Sequence, residues 1–393
     1  MRVIVCGDCH IGAVFGLGKQ KPSGRNTRVD DYEKSLNYIV DYAIDTKADV
    51  FVQTGDIFEH RNPDPEHIDI VDKALKKLSS AGVVTAVIMG NHDYRKNGES
   101  FTSSITSIPA KDSSNVRVVI NPEVMAVSND KGECVNIVLL PYRDRRMYEG
   151  KNNKEQSVHY NNEIKDLIDS CLITPDPSPC IAIGHNFFYE GSYNDYGGAE
   201  VLAEPSSFEG CDIAMMGHLH QFRVLKKKSP ICLYTGSMEK TNFGDATVDK
   251  YFIDYDTSER KPKICKTPVR DLLDFTVNLE DCDFSNFNQK IIDEISKKDL
   301  KEKIVRLKIL TKEALVPALD KQKISKILYR SNAFYVSKII IEQISERIIR
   351  DSSVLAHKDD YSMFKAFIES QNVEEEMAKA VLREAKDIMS LNS

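Results

Sequence analysis

Residues 2–12 read RVIVCGDCHIG. A short β-branched run stops at Gly7, and Asp8 and His10 follow two residues apart. Alternate side chains of an extended chain share a face, so Asp8 and His10 can address one point. The pattern recurs along the chain. DVFVQT (49–54) ends in Gly55-Asp56, and VVTAVIM (83–89) ends in Gly90-Asn91-His92-Asp93. CIAI (180–183) ends in Gly184-His185, and DIAMM (212–216) ends in Gly217-His218, with His220 two residues further on. Glycine lets the backbone turn sharply, so the next side chain can sit close to a shared centre. Such runs alternating with helical patterns mark an α/β fold, in which ligands collect at the carboxyl ends of the strands. A lone His-x-His is more often a pair of satisfied core histidines than a metal site. Here five of the nine histidines (His10, His92, His185, His218 and His220) lie at strand ends of one kind, which points to one site.

The 393 residues exceed what one core usually serves, so two or three domains are expected. With 41% hydrophobic and 29% charged residues, the composition is that of a globular protein. No stretch approaches the roughly 20 apolar residues needed to span a bilayer, and the first residues read as a strand, not a secretion signal. Nine cysteines, odd in number and several within apolar runs, suggest reduced thiols in a cytoplasmic protein. Cys6 and Cys9 form a C-x-x-C without a second pair, and alternation turns Cys9 away from Asp8 and His10. The formal net charge of −7 gives no global support to nucleic-acid binding, so such a role must rest on local basic segments.

Two divalent ions a few ångströms apart suit phosphoester hydrolysis, and such a site needs one bridging carboxylate with other ligands divided between the ions. Asp8 and His10 supply the first pair, Asp56 the natural bridge, and Asn91, His185, His218 and His220 complete the set. Imidazole and oxygen ligands without thiolate suit manganese, iron or zinc better than calcium or magnesium alone.

As GDCH, TGDIF, GNHD, GHN and GHLH, these residues resemble the calcineurin-like metallophosphoesterases over roughly residues 1–255. The resemblance implies a two-sheet β-sandwich flanked by helices. One metal would be held by Asp8, His10, Asp56 and His220, and the second by Asp56, Asn91, His185 and His218. His92 would meet the scissile phosphate or protonate the leaving group, with Asp93 orienting its imidazole. Within the superfamily, GDCHIG, GDIFEHRNP, VLLPYR and YTGSMEKTNFGD resemble the SbcD branch, nuclease subunits of the meiotic-recombination-eleven type. That branch implies a prokaryotic, manganese-dependent exonuclease on duplex ends and endonuclease on single strands and hairpins, dimeric and partnered with an SbcC-like coiled-coil ATPase. One position departs from some relatives, which carry a histidine three residues after the bridging Asp. Here it is Glu59, with His60 beside it.

The texture changes near Val269. DFTVNL, IVRLKIL and AFYVSKIIIEQI read as strands, with helical patterns at 284–297 and 312–329, a small α+β unit resembling the branch's DNA-capping domain. RDSSVLAHKDD (350–360) reads as a linker. The tail is helical, with Phe364 and Phe367 in one segment. Asn372 would cap a second, with Glu375 three residues on and a stripe of Val373, Met377, Val381 and Ile388. Too small for a core of its own, this tail resembles the segment that grips the ATPase coiled coil. The expected divisions are 1–268, 269–345, a linker 346–360, and 361–393.

Candidate DNA contacts are Lys19, Lys21, Arg25 and Arg28 after the D-x-H, then Arg143, Arg145 and Arg146, then Lys226 to Lys228. A homodimer would pack helices near 64–80 and just after GNHD across its axis, although the stripe of Val71, Leu75 and Leu78 could equally face its own sheet. Two other readings use the same fold: a phosphoesterase for small molecules or phosphoproteins, and a non-catalytic scaffold. The first has no use for the capping unit and tail, and the second usually loses ligands that are all present here.

Overall fold

A computed structural model describes residues 1–97, 100–173, 178–192, 200–344, 360–370 and 375–390. Its centre is a pair of six-stranded sheets. In the first, Arg2–Cys6 pairs in parallel with Val50–Gln53, which continues in parallel through Val84–Ile88 to Val116–Val119. On its other side lie the antiparallel strands Tyr251–Asp256 and Lys261–Lys266. The second sheet runs Arg223–Lys226, Ile231–Tyr234, Ile213–Met216, Cys180–Gly184, Cys134–Leu140, Glu123–Ser128, parallel in its four central strands and antiparallel at both edges.

The period of two in the sequence sets the layers. Val3, Val5, Val50, Val52, Ala86 and Ile88 face Ile137, Leu139, Ile181, Ile183, Ile213, Met215 and Leu233 across the sandwich. The alternate residues Ile4, Cys6, Phe51 and Val87 turn outward, under the helices Thr27–Asp45 and Pro65–Ser80. On the far side, Val138, Leu140, Ala182, Ala214 and Met216 are covered by Tyr160, Ile164 and Ile168 of the helix Asn153–Cys171. Strands covered on both faces must read as continuous apolar runs, which is how they read. Cys6 and Cys9 are buried in the outer core with their sulfurs 3.8 Å apart.

Pro65 opens its helix after an extended Asp64, whose side chain makes no cap hydrogen bond. Val71, Leu75 and Leu78 are buried against the chain's own first sheet, so this stripe offers no apolar face to a second copy. Among the described residues the helix expected after GNHD is absent. A hairpin, Tyr94–Asn97 with Ser100–Ser103, is followed by single turns at Ser104–Ser107 and Pro109–Asp112.

The unit beyond Val269 is a three-stranded parallel sheet of Leu272–Asn278, Ile304–Thr311 and Tyr335–Gln343. The helices Phe287–Ser296 and Lys321–Arg330 make the crossovers and share a core with it through Ile291, Ile295, Ile324 and Leu328. The single helix expected over 312–329 is broken. Glu313–Ala318 is a 3-10 turn containing Pro317, and the helix restarts where the Asp320 carboxylate accepts the N–H groups of Gln322 and Lys323. Leu17 of the loop after His10 packs on Leu272 and Ile304. At the same junction Arg270 donates to both Asp31 oxygens and to Glu302, its guanidinium 3.6 Å from the Phe334 ring centre.

The tail forms helices Asp360–Ser370 and Glu375–Ser390, which touch one another. Phe364 is half-buried, whereas Phe367, Met377 and Val381 are exposed. Ile388 lies on the second helix, while Asn372, Val373 and nearly all of the linker fall outside the described residues. Among the described residues no helix is long and apolar enough to cross a membrane.

Candidate metal centre

The carboxyl ends of both central sheets open on one point, and the glycines make room there. A Cβ on Gly90 would sit 2.1 Å from Asp56 Oδ1, and one on Gly217 would sit 2.4 Å from Asp8 Oδ1. His10, Asp56 and His218 themselves adopt φ of 47°, 52° and 78°. Side chains pay strain to sit there, and such strain concentrates at functional sites.

The structure brings the seven residues together as two groups. Ligand atoms of Asp8, His10 and His220 lie within 4.8 Å of one another, as do those of Asp56, His185 and His218. His10 Nε2 is 2.9 Å from His220 Nε2. Asn91 Oδ1 lies 2.9 Å from His185 Nε2 and 2.8 Å from His218 Nδ1. Asp56 Oδ2 stands between the groups, 3.6 Å from His10 Nε2 and 3.4 Å from His185 Nε2. Asp8 accepts the backbone N–H of His218.

Burial would push the Asp56 carboxyl up, but the imidazoles of His185 and His10 outweigh it and hold the group well below the ordinary carboxylate range. Burial works against charge on His185, yet Asp56 and Asp8 raise it to about 9. His220 moves down, through burial and the neighbouring His10. Basic rings, carboxylates and an amide oxygen thus converge with little water to share.

Two of the histidines are hydrogen-bonded from behind, and the other two face carboxylates at ion-pair distance. His185 Nδ1 is 3.0 Å from the Thr54 carbonyl, and His220 Nδ1 is 3.1 Å from Thr241 Oγ1. Glu59 Oε2 is 2.8 Å from His10 Nδ1, and Glu200 Oε1 is 3.4 Å from His218 Nε2. Glu200 and Thr241 were not legible as site residues, because neither sits at a run-and-glycine junction.

His92 donates its backbone N–H to Asp56 Oδ1 at 2.8 Å, and its ring Nδ1 lies 2.8 Å from the Glu59 carbonyl. The ring is about one-third exposed and borders a cleft of about 380 Å³ lined by Glu59, His60, Arg61, Asn62 and Asn91. Asp93 does not orient it. The Asp93 carboxylate accepts the N–H groups of Ile57, Phe58 and Gly90, binding together the loops that carry Asp56 and Asn91. Burial and the nearby Asp56 raise it to about 6, against those backbone donors.

The basic candidates divide. Arg28 is fully buried, donating to Asp31, Glu239 and the Lys240 carbonyl. Arg143 is buried and donates to the Ile120 carbonyl and Asn121. Both are internal ties and drop out of the DNA contacts. Lys21 pairs with Asp30, and Arg25 with Asp30, Glu33 and Glu66, so helix Thr27–Asp45 supplies most of the acids that the loop itself lacks. Lys19 lies over the Phe334 ring at 5.0 Å, while Arg145, Lys227 and Lys228 are exposed.

The chain belongs to the calcineurin-like phosphoesterase family, whose model matches residues 1–222 of the 393. Within it the chain is similar to DNA double-strand break repair proteins Mre11 and to a subunit of the SbcCD nuclease. It is 24% identical over 265 residues to the SbcD component of the SbcCD nuclease of Bacillus subtilis, covering 63% of each chain. It is 22% identical over 358 residues to the DNA double-strand break repair protein Mre11 of Archaeoglobus fulgidus, covering 83% of this chain and 73% of that one. The Mre11 protein of Haloferax volcanii is 31% identical over 98 residues, 25% of this chain. That match spans 21% of the Haloferax protein's length, and matches to two Methanosarcina Mre11 proteins span 15% and 36% of theirs.

Proposed function

We propose that the protein is a manganese-dependent DNA nuclease, the phosphodiesterase component of an SbcC–SbcD-like complex that processes duplex ends, hairpins and single strands. The observation that carries the reading is the position of Asp56 Oδ2, facing His10 on one side and His185 on the other. The residues fit two divalent ions. His10 and His220 bring ring nitrogens to 2.9 Å of each other, an N–H···N contact that places two imidazole donors side by side where one cation can take both. Asp8, His10, Asp56 and His220 would hold one ion, and Asp56, Asn91, His185 and His218 the other.

Bound there, the ions supply a nucleophile from water and neutralise charge on the phosphodiester. The chain does the rest. Asp56 keeps its charge in a buried site because basic rings flank it. His92, its Nδ1–H directed to the Glu59 carbonyl, presents Nε2 to the cleft, where its protonated form can donate to the phosphate or the leaving oxygen. The unit 269–345 would place the DNA, and residues 361–393 would grip the partner's coiled coil. Similarity to SbcD and Mre11 proteins favours DNA over a small phosphoester.

The test is incubation of linear duplex, hairpin and single-stranded DNA, beside a phosphoprotein and a small phosphodiester, with manganese and with or without a co-expressed ATPase. Cleavage of DNA above the small esters supports the reading. Turnover of the esters with DNA left whole overturns it.

A further inference from the structure

His10 and His218 face the centre with opposite ring nitrogens. His10 turns Nε2 inward and Nδ1 outward, while His218 turns Nδ1 inward, toward Asn91 Oδ1, and Nε2 outward. The two remaining ring ligands are backed by neutral oxygens, the Thr54 carbonyl and the Thr241 hydroxyl. His10 and His218 instead face carboxylates, Glu59 and Glu200, within ion-pair distance of a ring nitrogen that makes no hydrogen bond. The Glu59 segment is pinned to the loop that carries His10, its N–H donating to the Ile11 carbonyl beside an Ile11–Phe58 bridge. Glu200 is held by a bridge to Asp144. One carboxylate serves each group.

We propose that Glu59 and Glu200 are positioning residues, one for each ion. Glu59 keeps the proton of His10 on Nδ1 and frees Nε2 to bind, and Glu200 keeps the proton of His218 on Nε2 and frees Nδ1. A carboxylate behind a metal-ligating imidazole fixes its tautomer and orientation and strengthens it as a donor. Two histidines binding through different nitrogens need opposite tautomers, and a separate acid behind each supplies them. The proposal rests on the two-ion reading above.

The experiment is stepwise manganese titration of the full chain, followed by calorimetry and by the spin-resonance signal of free manganese. Loss of one such partner typically weakens metal affinity about 10–100-fold. Glu59→Gln should weaken one ion by that factor, and Glu200→Gln the other. On a His220→Ala background, where one ion is already weakened, Glu59→Gln should leave the better-held ion untouched and Glu200→Gln should weaken it. Glu59→Asp should recover part of the loss. Unfolding of each metal-free variant should match the metal-free parent. Unchanged binding constants in either variant overturn the role of that residue, as does the weakening of the same ion by both. If the unsubstituted chain fails to take up two equivalents, the two-ion reading itself falls.

Discussion

His10 and His220 bring their Nε2 atoms to 2.9 Å although 210 residues separate them in the chain. A cation that takes the place of this contact binds only the folded chain, which alone brings the two rings together. Saturating manganese should therefore stabilise the fold, by about 2.7 kcal/mol at one hundred times the dissociation constant. Thermal unfolding with manganese and then with excess chelator measures it. A midpoint that ignores both would remove the metal centre, and Asp56→Ala should abolish most of the metal-induced shift because its carboxylate faces both groups.

His92 borders the cleft outside the two groups assigned to the ions, although its ring forms a third cluster with His10 and Glu59, their ligand atoms within 4.8 Å of one another. His92→Gln should lower DNA cleavage about 10²–10⁴-fold. Two equivalents of manganese should still bind. Loss of the ions along with activity would make His92 a ligand.

Asp93 acts on the backbone. Asp93→Ala leaves three buried N–H groups without their acceptor, each costing about 1–3 kcal/mol. Denaturant unfolding of the metal-free chain should show a loss of several kcal/mol that His92→Gln does not show. Equal stability of the two variants would restore a role for Asp93 on the imidazole.

Arg28 and Lys21 should separate stability from DNA binding. Removing Arg28 leaves Glu239 buried without its guanidinium, while Asp31 keeps Arg270, and breaking a buried pair of this kind costs about 3–5 kcal/mol. Arg28→Met should lower the unfolding midpoint strongly. Lys21→Ala should barely move it. A normal midpoint for Arg28→Met, with a reduced salt dependence of DNA binding, would return Arg28 to the DNA path.

Met377 and Val381 are exposed on the second tail helix. Truncation after Asp351 should leave manganese-dependent cleavage of single strands intact and abolish co-purification with the coiled-coil ATPase. Undiminished binding of the truncated chain to the ATPase would put the grip elsewhere. Complete loss of cleavage would place the tail in the catalytic body.

The sandwich and the meeting of its seven residues were legible because each rests on a local signal. A run with period two, a glycine and then a polar side chain leaves few ways for a parallel strand to end. Arg28 was misread for the opposite reason. Its charge is visible in sequence, but its partner Glu239 stands 211 residues away, and burial is a property of the pair. Asp93 was misassigned by adjacency, since its backbone donors include residues 35 and 36 positions back. The helix Asn153–Cys171 had a readable start: Asn152 accepts the Glu155 N–H, and the Glu155 carboxylate accepts that of Lys151. Its stripe of Tyr160, Ile164 and Ile168 was masked by a polar surround. Glu59 and Glu200 act through histidines brought to them only by folding.

Asp31 takes hydrogen bonds from Arg28 and from Arg270 at once. Arg28 continues to Glu239, two residues before Thr241, whose hydroxyl stands behind His220. Arg270 continues to Glu302 and to the face of Phe334 in the three-stranded unit. The two bodies are thus geared together, with Asp31 as the shared bearing. Lys240, the neighbour of Thr241, reaches the same unit directly through Asp271, so a displacement of the three-stranded unit is transmitted by two polar routes, and by the packing of Leu17, to the segment that seats a ring of the candidate metal centre.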